Sequence, residues 1–311
     1  MRVAIAQIAP VLLDRDRTTA KIIHAIADAA SNNASIVCFG EALLPGYPVW
    51  LSPAGGASFN DPDHKELHRR YLDQAVNIQQ GHLQTIRDAC NAHSIWTVLG
   101  IAERPTDRAG HTIYCSAVII NDSGQILGVH RKLMPTYEER LAWGMGDAAG
   151  LVTHRLQDFT LGALNCWENW LPLARAALHA QSEDLHVALW PGCRRLTEDI
   201  TRFAALEGRS YVISACALIR EGDLPKSLPL RDQIARPGQI LYDGGSCIAS
   251  PDGSWLVQPA PPDERLILAD LDPGLIGQER QNLDISGHYA RPDILRLVVD
   301  ARRQAALERQ T

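Results

Sequence analysis

Three residues of this 311-residue chain combine reactivity with a position that would put it to use. Glu41 directly follows the apolar run Ile36-Val37-Cys38-Phe39-Gly40, Lys132 follows Ile126 to Val129 and His130-Arg131, and Cys166 ends Leu161-Gly162-Ala163-Leu164-Asn165. Each run reads as a β-strand, and in open α/β sheets the carboxyl ends of strands floor the site. A thiol is a useful nucleophile only as thiolate; a nearby cation and a helix N-terminus lower its pKa, and a carboxylate can take its proton. Lys132 would supply the cation, a helix expected from Leu171 the terminus, and Glu41 a general base that later serves as acid, with Lys132 also stabilising charge that develops on the substrate. The same residues also read as an ion pair at a sheet end beside one of seven core thiols, and strand position alone does not choose between these readings.

The elements that must position these residues alternate in kind along the chain, which argues for an α/β fold. Val3 to Ile8, Ala34 to Phe39 and Ile95 to Ile101 read as strands; Thr18 to Ala30 has helical spacing in Ile22, Ile23, Ile26, Ala29 and Ala30, and Asp63 to Cys90 repeats it through Leu67, Tyr71, Ala75, Leu83 and Ile86. Ile113 to Val129 reads as a hairpin turning at Asn121-Asp122-Ser123-Gly124. Beyond a polar stretch, Phe159 to Asn165 is strand, Leu171 to Ala180 helix, Leu185 to Trp190 strand, Asp199 to Gly208 helix and Tyr211 to Leu218 strand. A second hairpin spans Ser246 to Ser250 and Trp255 to Gln258, and Leu266 to Leu271 is a last strand. Arg220 to Gly238, with Pro225, Pro229 and Pro237, reads as a long loop within one domain, residues 1–311.

The segments around the three residues are distinctive. Gly40-Glu41-Ala42-Leu43-Leu44-Pro45-Gly46-Tyr47-Pro48, His130-Arg131-Lys132-Leu133-Met134-Pro135-Thr136-Tyr137-Glu138-Glu139-Arg140 and Asn165-Cys166-Trp167-Glu168-Asn169 closely resemble the three signature segments of the nitrilase superfamily, specifically its true nitrilase branch. The resemblance extends to Leu206-Glu207-Gly208-Arg209-Ser210, Gly244-Gly245-Ser246 and Gly287-His288-Tyr289-Ala290-Arg291-Pro292, and so spans nearly the whole chain. It implies a four-layer α-β-β-α sandwich, from which the segment beyond about residue 287 extends, and a Glu-Lys-Cys triad at Glu41, Lys132 and Cys166. An assisting glutamate is implied at Glu139, with its neighbour Glu138 ranked second. The implied reaction needs no metal or organic cofactor: the cysteine attacks a nitrile carbon to give a thioimidate, water adds, ammonia leaves, and a thioester is hydrolysed to the acid. An amidase or carbamoyl hydrolase with the same triad, a cyanide-degrading enzyme and a catalytically silent scaffold are the rival readings. Trp167-Glu168 favours the nitrilase branch, and the intact triad disfavours the scaffold. The chain departs from the family at Ala148-Ala149, where relatives often carry Gly-Ser, and at its end at Thr311, where many relatives run on.

Composition sets the remaining bounds. A net charge of −6 with no block of either sign disfavours nucleic acid and anionic membrane as partners, while the resemblance implies a small-molecule nitrile as substrate and a second copy of the chain as partner. Seven cysteines, an odd number without a CxxC pair, suit reduced cytoplasmic thiols; Met1 to Leu13 reads as a first strand rather than a targeting segment, and no apolar run approaches the ~18 residues of a membrane span. Cys38, Cys115, Cys216 and Cys247 read as small core residues. Tyr47, Trp167, Trp190 and Cys193, each near a strand end, are candidate pocket walls, and the aromatic ones equally suit the core. Gly144-Met145-Gly146-Asp147-Ala148-Ala149 matches a relaxed dinucleotide fingerprint but follows no strand, so it reads as a loop. His64 and His68, four apart on a helix, lack further metal ligands and read as a solvated face. Leu171, Leu173, Ala176, Ala177 and Leu178 give their helix more apolar surface than one stripe needs, which implies at least a homodimer; the end at Thr311 leads to the expectation of a small closed assembly rather than a filament.

Overall fold

A computed structural model describes residues 1–305 and 307. Its strands are β1 (Arg2–Gln7), β2 (Ile36–Cys38), β3 (Trp96–Glu103), β4 (Tyr114–Ile120), β5 (Ile126–Arg131), β6 (His154–Leu156), β7 (Phe159–Asn165), β8 (Leu185–Trp190), β9 (Tyr211–Cys216), β10 (Leu218–Arg220), β11 (Ile240–Asp243), β12 (Cys247–Ala249), β13 (Trp255–Val257) and β14 (Arg265–Asp270). Its helices are α1 (Arg15–Ser31), α2 (Pro62–Gln74), α3 (Gln84–His93), α4 (Pro172–His179), α5 (Arg194–Gly208), α6 (Arg231–Ile234) and α7 (Pro273–Arg280). Two six-stranded sheets result, ordered β14-β1-β2-β3-β4-β5 and β13-β12-β9-β8-β7-β6.

The sheets pack face to face through Val3, Ile5, Ile36, Val98 and Ile119 of one and Leu161, Ala163, Val187, Leu189 and Ile213 of the other. The alternate residues point outward and are covered by helices: Val37, Phe39 and Leu99 lie under Ile22, Ile26, Ile86 and Cys90 of α1 and α3, and Val212 and Ala249 lie under Ala204 and Ala205 of α5. Strands buried on both faces explain the continuous apolar runs of β2, β3, β7 and β8. This is the expected α-β-β-α sandwich.

Each sheet centres on three parallel strands, β1-β2-β3 and β7-β8-β9. The antiparallel pairings β3-β4 and β4-β5 restore the direction of β3 in β5, so Glu41 and Lys132 leave their strands at the same end.

Three expectations are corrected. The helix from Asp63 to Cys90 is two helices, because Ala75 and Val76 turn extended and Val76 bonds to the end of β3 through Ala102 and Arg104. That backbone pairing overrides a spacing that looked helical. The proline-rich stretch from Arg220 onward is bounded by the β10-β11 pair and contains α6, so it is not one structureless loop. Finally, β6 and α7 are additional elements; past α7 the chain forms no further helix or strand among the described residues and returns to the sandwich, where Arg303 donates to Asp147 Oδ1 (2.9 Å) and to the Val129 carbonyl (3.1 Å). Among the described residues no helix is long and apolar enough to cross a membrane, and the seven cysteines are free.

Candidate active site

Glu41 sits in a tight passage between the two sheets. Its backbone N–H donates to the Trp190 carbonyl of the opposite sheet at 3.0 Å, and Gly100 of β3 lies so close that a Cβ there would come within 2.7 Å of Glu41 Cα. Lys132 is held through its backbone, its N–H donating to the Cys115 carbonyl and its own carbonyl accepting from Gly146 N–H, each at 2.8 Å. Gly146 is required there, since a Cβ would stand 2.6 Å from the Lys132 oxygen. This close approach accounts for the second glycine of the Gly-x-Gly pattern.

Cys166 opens a single 3₁₀ turn, Cys166–Trp170, with φ of +47°, a left-handed conformation uncommon for a non-glycine residue. Asn169 fixes the turn by donating from Nδ2 to the Cys166 carbonyl at 2.8 Å.

The side chains of Glu41, Lys132, Glu139 and Cys166 are brought together and are all buried. Lys132 Nζ donates to Glu41 Oε1 at 2.9 Å and to Glu139 Oε2 at 2.7 Å, and a carboxylate oxygen of each glutamate and Cys166 Sγ all lie within 4.8 Å of one another. Glu139 is fixed in turn by Tyr47 Oη–H (2.8 Å) and Thr136 N–H (2.6 Å). Glu41 Oε2 is buried without a hydrogen-bond partner among the described residues, which leaves it free to accept a proton.

Electrostatics follow from burial. Desolvation pushes the Glu41 carboxyl up to about 7, with Lys132 opposing and Glu139 adding to the rise. Burial opposes the charge on Lys132, but Glu41, Cys166 and Glu139 outweigh it and hold the ammonium well above its usual range. The Cys166 thiol is raised, first by burial and then by Glu41, with Lys132 working against both. This corrects the expectation of a thiol lowered by Lys132 and a helix: α4 begins only at Pro172, and two carboxylates share the cluster with one ammonium. The arrangement therefore sets a thiol whose pKa is raised within 4.8 Å of a carboxylate oxygen of Glu41.

Over this cluster opens a cavity of about 240 Å³ lined by Tyr47, Glu138, Glu139, Cys166, Trp167, Trp190, Leu196 and Tyr242 among others. A second depression of about 310 Å³ shares Tyr47, Glu138 and Tyr242 with it.

A family model, carbon-nitrogen hydrolase, matches residues 2–281. The chain belongs to the carbon-nitrogen hydrolase family. It is 35% identical to an aliphatic nitrilase of Sinorhizobium fredii over 98% of this chain and 97% of that one, and 36% identical to a nitrilase of Pseudomonas syringae over 96% and 89%. Among solved structures, a carbon-nitrogen hydrolase of Helicobacter pylori superposes with a TM-score of 0.73 at 18% identity, covering 94% of this chain and 96% of that one.

Within this family frame, Tyr47, Trp167 and Trp190 line the cavity, Trp167 partly exposed and Trp190 fully buried. Cys193 does not: φ of +108° turns the chain there, and its neighbours Gly192 and Leu196 form the wall instead. Glu138 and Glu139 both line the cavity, and Glu139 also accepts from Lys132 Nζ. Tyr242, missed because β11 lies just past the expected loop in a stretch given no element, packs edge-on to Tyr47 with ring centroids 5.1 Å apart. His64 Nε2–H donates to the Ala54 carbonyl at 2.9 Å, in keeping with a plain helix face.

Proposed function

We propose that the protein is a nitrilase that converts a small organic nitrile to its carboxylic acid and ammonia. The observation that carries the chemistry is the buried cluster of thiol, ammonium and half-free carboxylate that opens through Cys166 and Glu139 onto one cavity; the choice of nitrile is supported by relatives named as nitrilases over nearly their full length. Cys166 Sγ attacks the nitrile carbon as its proton passes to Glu41 Oε2 and on to the nitrogen, giving a thioimidate. Glu41, again a base, activates water, whose addition and the departure of ammonia leave a thioester. A second water releases the acid and regenerates the thiol. Lys132 stabilises the developing negative charge, and Glu139 and Tyr47 hold it in place. A cavity of about 240 Å³ lies at the small end of ligand sites, which suits a compact nitrile.

The unit is one domain, and its seven free thiols suit a reducing cytoplasm. The working form is a homodimer. Ala177 and Leu178 of α4 are spent on the chain's own core, but Leu173 (70% exposed), Leu171, Trp170, Phe203 and Leu206 leave an apolar face across α4 and α5 that a two-fold partner would cover. The test is ammonia release from a panel of aliphatic, aromatic and arylacetonitriles alongside the matching amides. Release from at least one nitrile class and little from the amides is expected; release from amides alone would make the protein an amidase.

A further inference from the structure

Lys132 and Glu41 hang from one sheet and Cys166 from the other, and no hydrogen bond joins Cys166 Sγ to Glu41, Lys132 or Glu139 among the described residues. Something else must set the distance across which the thiol proton moves. Two residues beyond Cys166, the Glu168 side chain is fully buried, yet it accepts three hydrogen bonds drawn from both sheets. Asn165 N–H, at the end of β7, donates to Oε2 at 3.0 Å. From the opposite sheet His130 Nε2–H donates to Oε2 at 2.9 Å and Leu133 N–H donates to Oε1 at 2.8 Å. His130 and Leu133 bracket Lys132 in the chain.

The first of these bonds is the return half of a capping box, in which a glutamate three residues on reaches back to the Asn165 N–H at the start of the turn. A cap needs nothing more. The other two bonds tie that cap to the segment that carries the ammonium. Burial opposes the carboxylate, and His130 with the two backbone N–H groups outweighs it, so the carboxyl stays below its usual range and the tie stays charged. His130 Nδ1 is buried and has no partner among the described residues, so Glu168 is the side chain that holds the ring.

We propose that Glu168 is a positioning residue: its carboxylate clamps the Cys166 turn to the Lys132 segment across the two sheets and so sets the separation of nucleophile from proton acceptor and ammonium. This rests on the reading of Cys166, Glu41 and Lys132 as the reacting set, and it does not depend on the substrate being a nitrile. Glutamine at 168 keeps the size but replaces an accepting oxygen with a donating amide, so at least one of the three bonds must break. Alanine at 130 removes only a cross-sheet bond and leaves the cap intact.

The experiment measures three things on the full-length wild type, Glu168→Gln, His130→Ala and the double variant: kcat and KM with the best nitrile, the rate at which iodoacetamide alkylates Cys166 as read by peptide mass, and the melting temperature. A misplacement of about 1 Å costs on the order of 10²-fold, so kcat should fall by about 10- to 100-fold in each single variant. KM should stay within about twofold, since the cavity walls are untouched. Alkylation of Cys166 should slow in parallel, and the double variant should be no worse than Glu168→Gln, because both changes break one clamp. Wild-type kcat and alkylation in folded His130→Ala, or losses that vanish once scaled to the folded fraction, would overturn the proposal. If Glu168→Gln does not fold, His130→Ala decides. If the wild type hydrolyses no nitrile, the functional reading fails, and the alkylation rates still decide whether Glu168 positions the thiol.

Discussion

At the scale of single residues, the site depends on Glu41 holding two roles. Its Oε1 pairs with Lys132 while its Oε2 stays bare, and burial raises its pKa to about 7. The form that takes the thiol proton is the carboxylate, which predominates above that value; below it the carboxyl is protonated and cannot act as base. We therefore expect kcat/KM to fall as pH drops through about 7, approaching tenfold per unit on the acid side. A pH-rate profile checks this, and an acid limb near the ordinary glutamate value would show that Glu41 is not the titrating base. The trio was legible because each member ends an apolar strand. The thiol's protonation state was not, because local sequence carries no measure of burial. Glu139 and Glu168 share a signal that spacing does reveal: Thr136-x-x-Glu139 and Asn165-x-x-Glu168 are both capping boxes, a cap residue with a glutamate three positions on. Read that way, the second would have pointed to Glu168.

At the scale of elements, the strands that carry the site were legible to within a few residues: β2 and β7 are buried on nearly every residue and read as apolar runs, and the half-exposed β5 was marked by the hairpin turn before it. What misled was local pattern under tertiary control: Ala75 has helical spacing but its neighbour Val76 pairs with β3, and β10 and β11 flank a proline-rich stretch that suggested a loop. The central strand β3 also imposes a size limit. A Cβ on Gly100 would meet Ala42 N at 2.6 Å and Glu41 Cα at 2.7 Å, backbone atoms that can yield only by moving the Glu41 turn. Gly100→Ala should therefore cost about 1–3 kcal/mol of stability, as overpacking does. It should also lower kcat in the protein that remains folded. Denaturant unfolding and kinetics measure both; unchanged values for each would mean that the turn is not confined.

At the scale of the whole molecule, the sandwich splits the chemistry between its sheets, and one of them also presents the apolar face of α4 and α5. Because α4 follows the Cys166 turn, assembly and activity should be linked. Light scattering should give twice the chain mass for the wild type, and Leu173→Glu should lower both the mass and the turnover; a wild-type monomer at micromolar concentration would refute the dimer, and full activity in a dissociated variant would separate interface from site. That face was only half legible, since periodicity marks apolar positions on a helix without saying which of them the chain's own core will use. The most direct test of the whole account is to quench the enzyme in acid during turnover of a nitrile substrate and map the covalent adduct by peptide mass. The acyl or imidoyl group should lie on Cys166, and Cys166→Ala should fold and release no ammonia. An adduct on another cysteine, or ammonia release that survives Cys166→Ala, would contradict it.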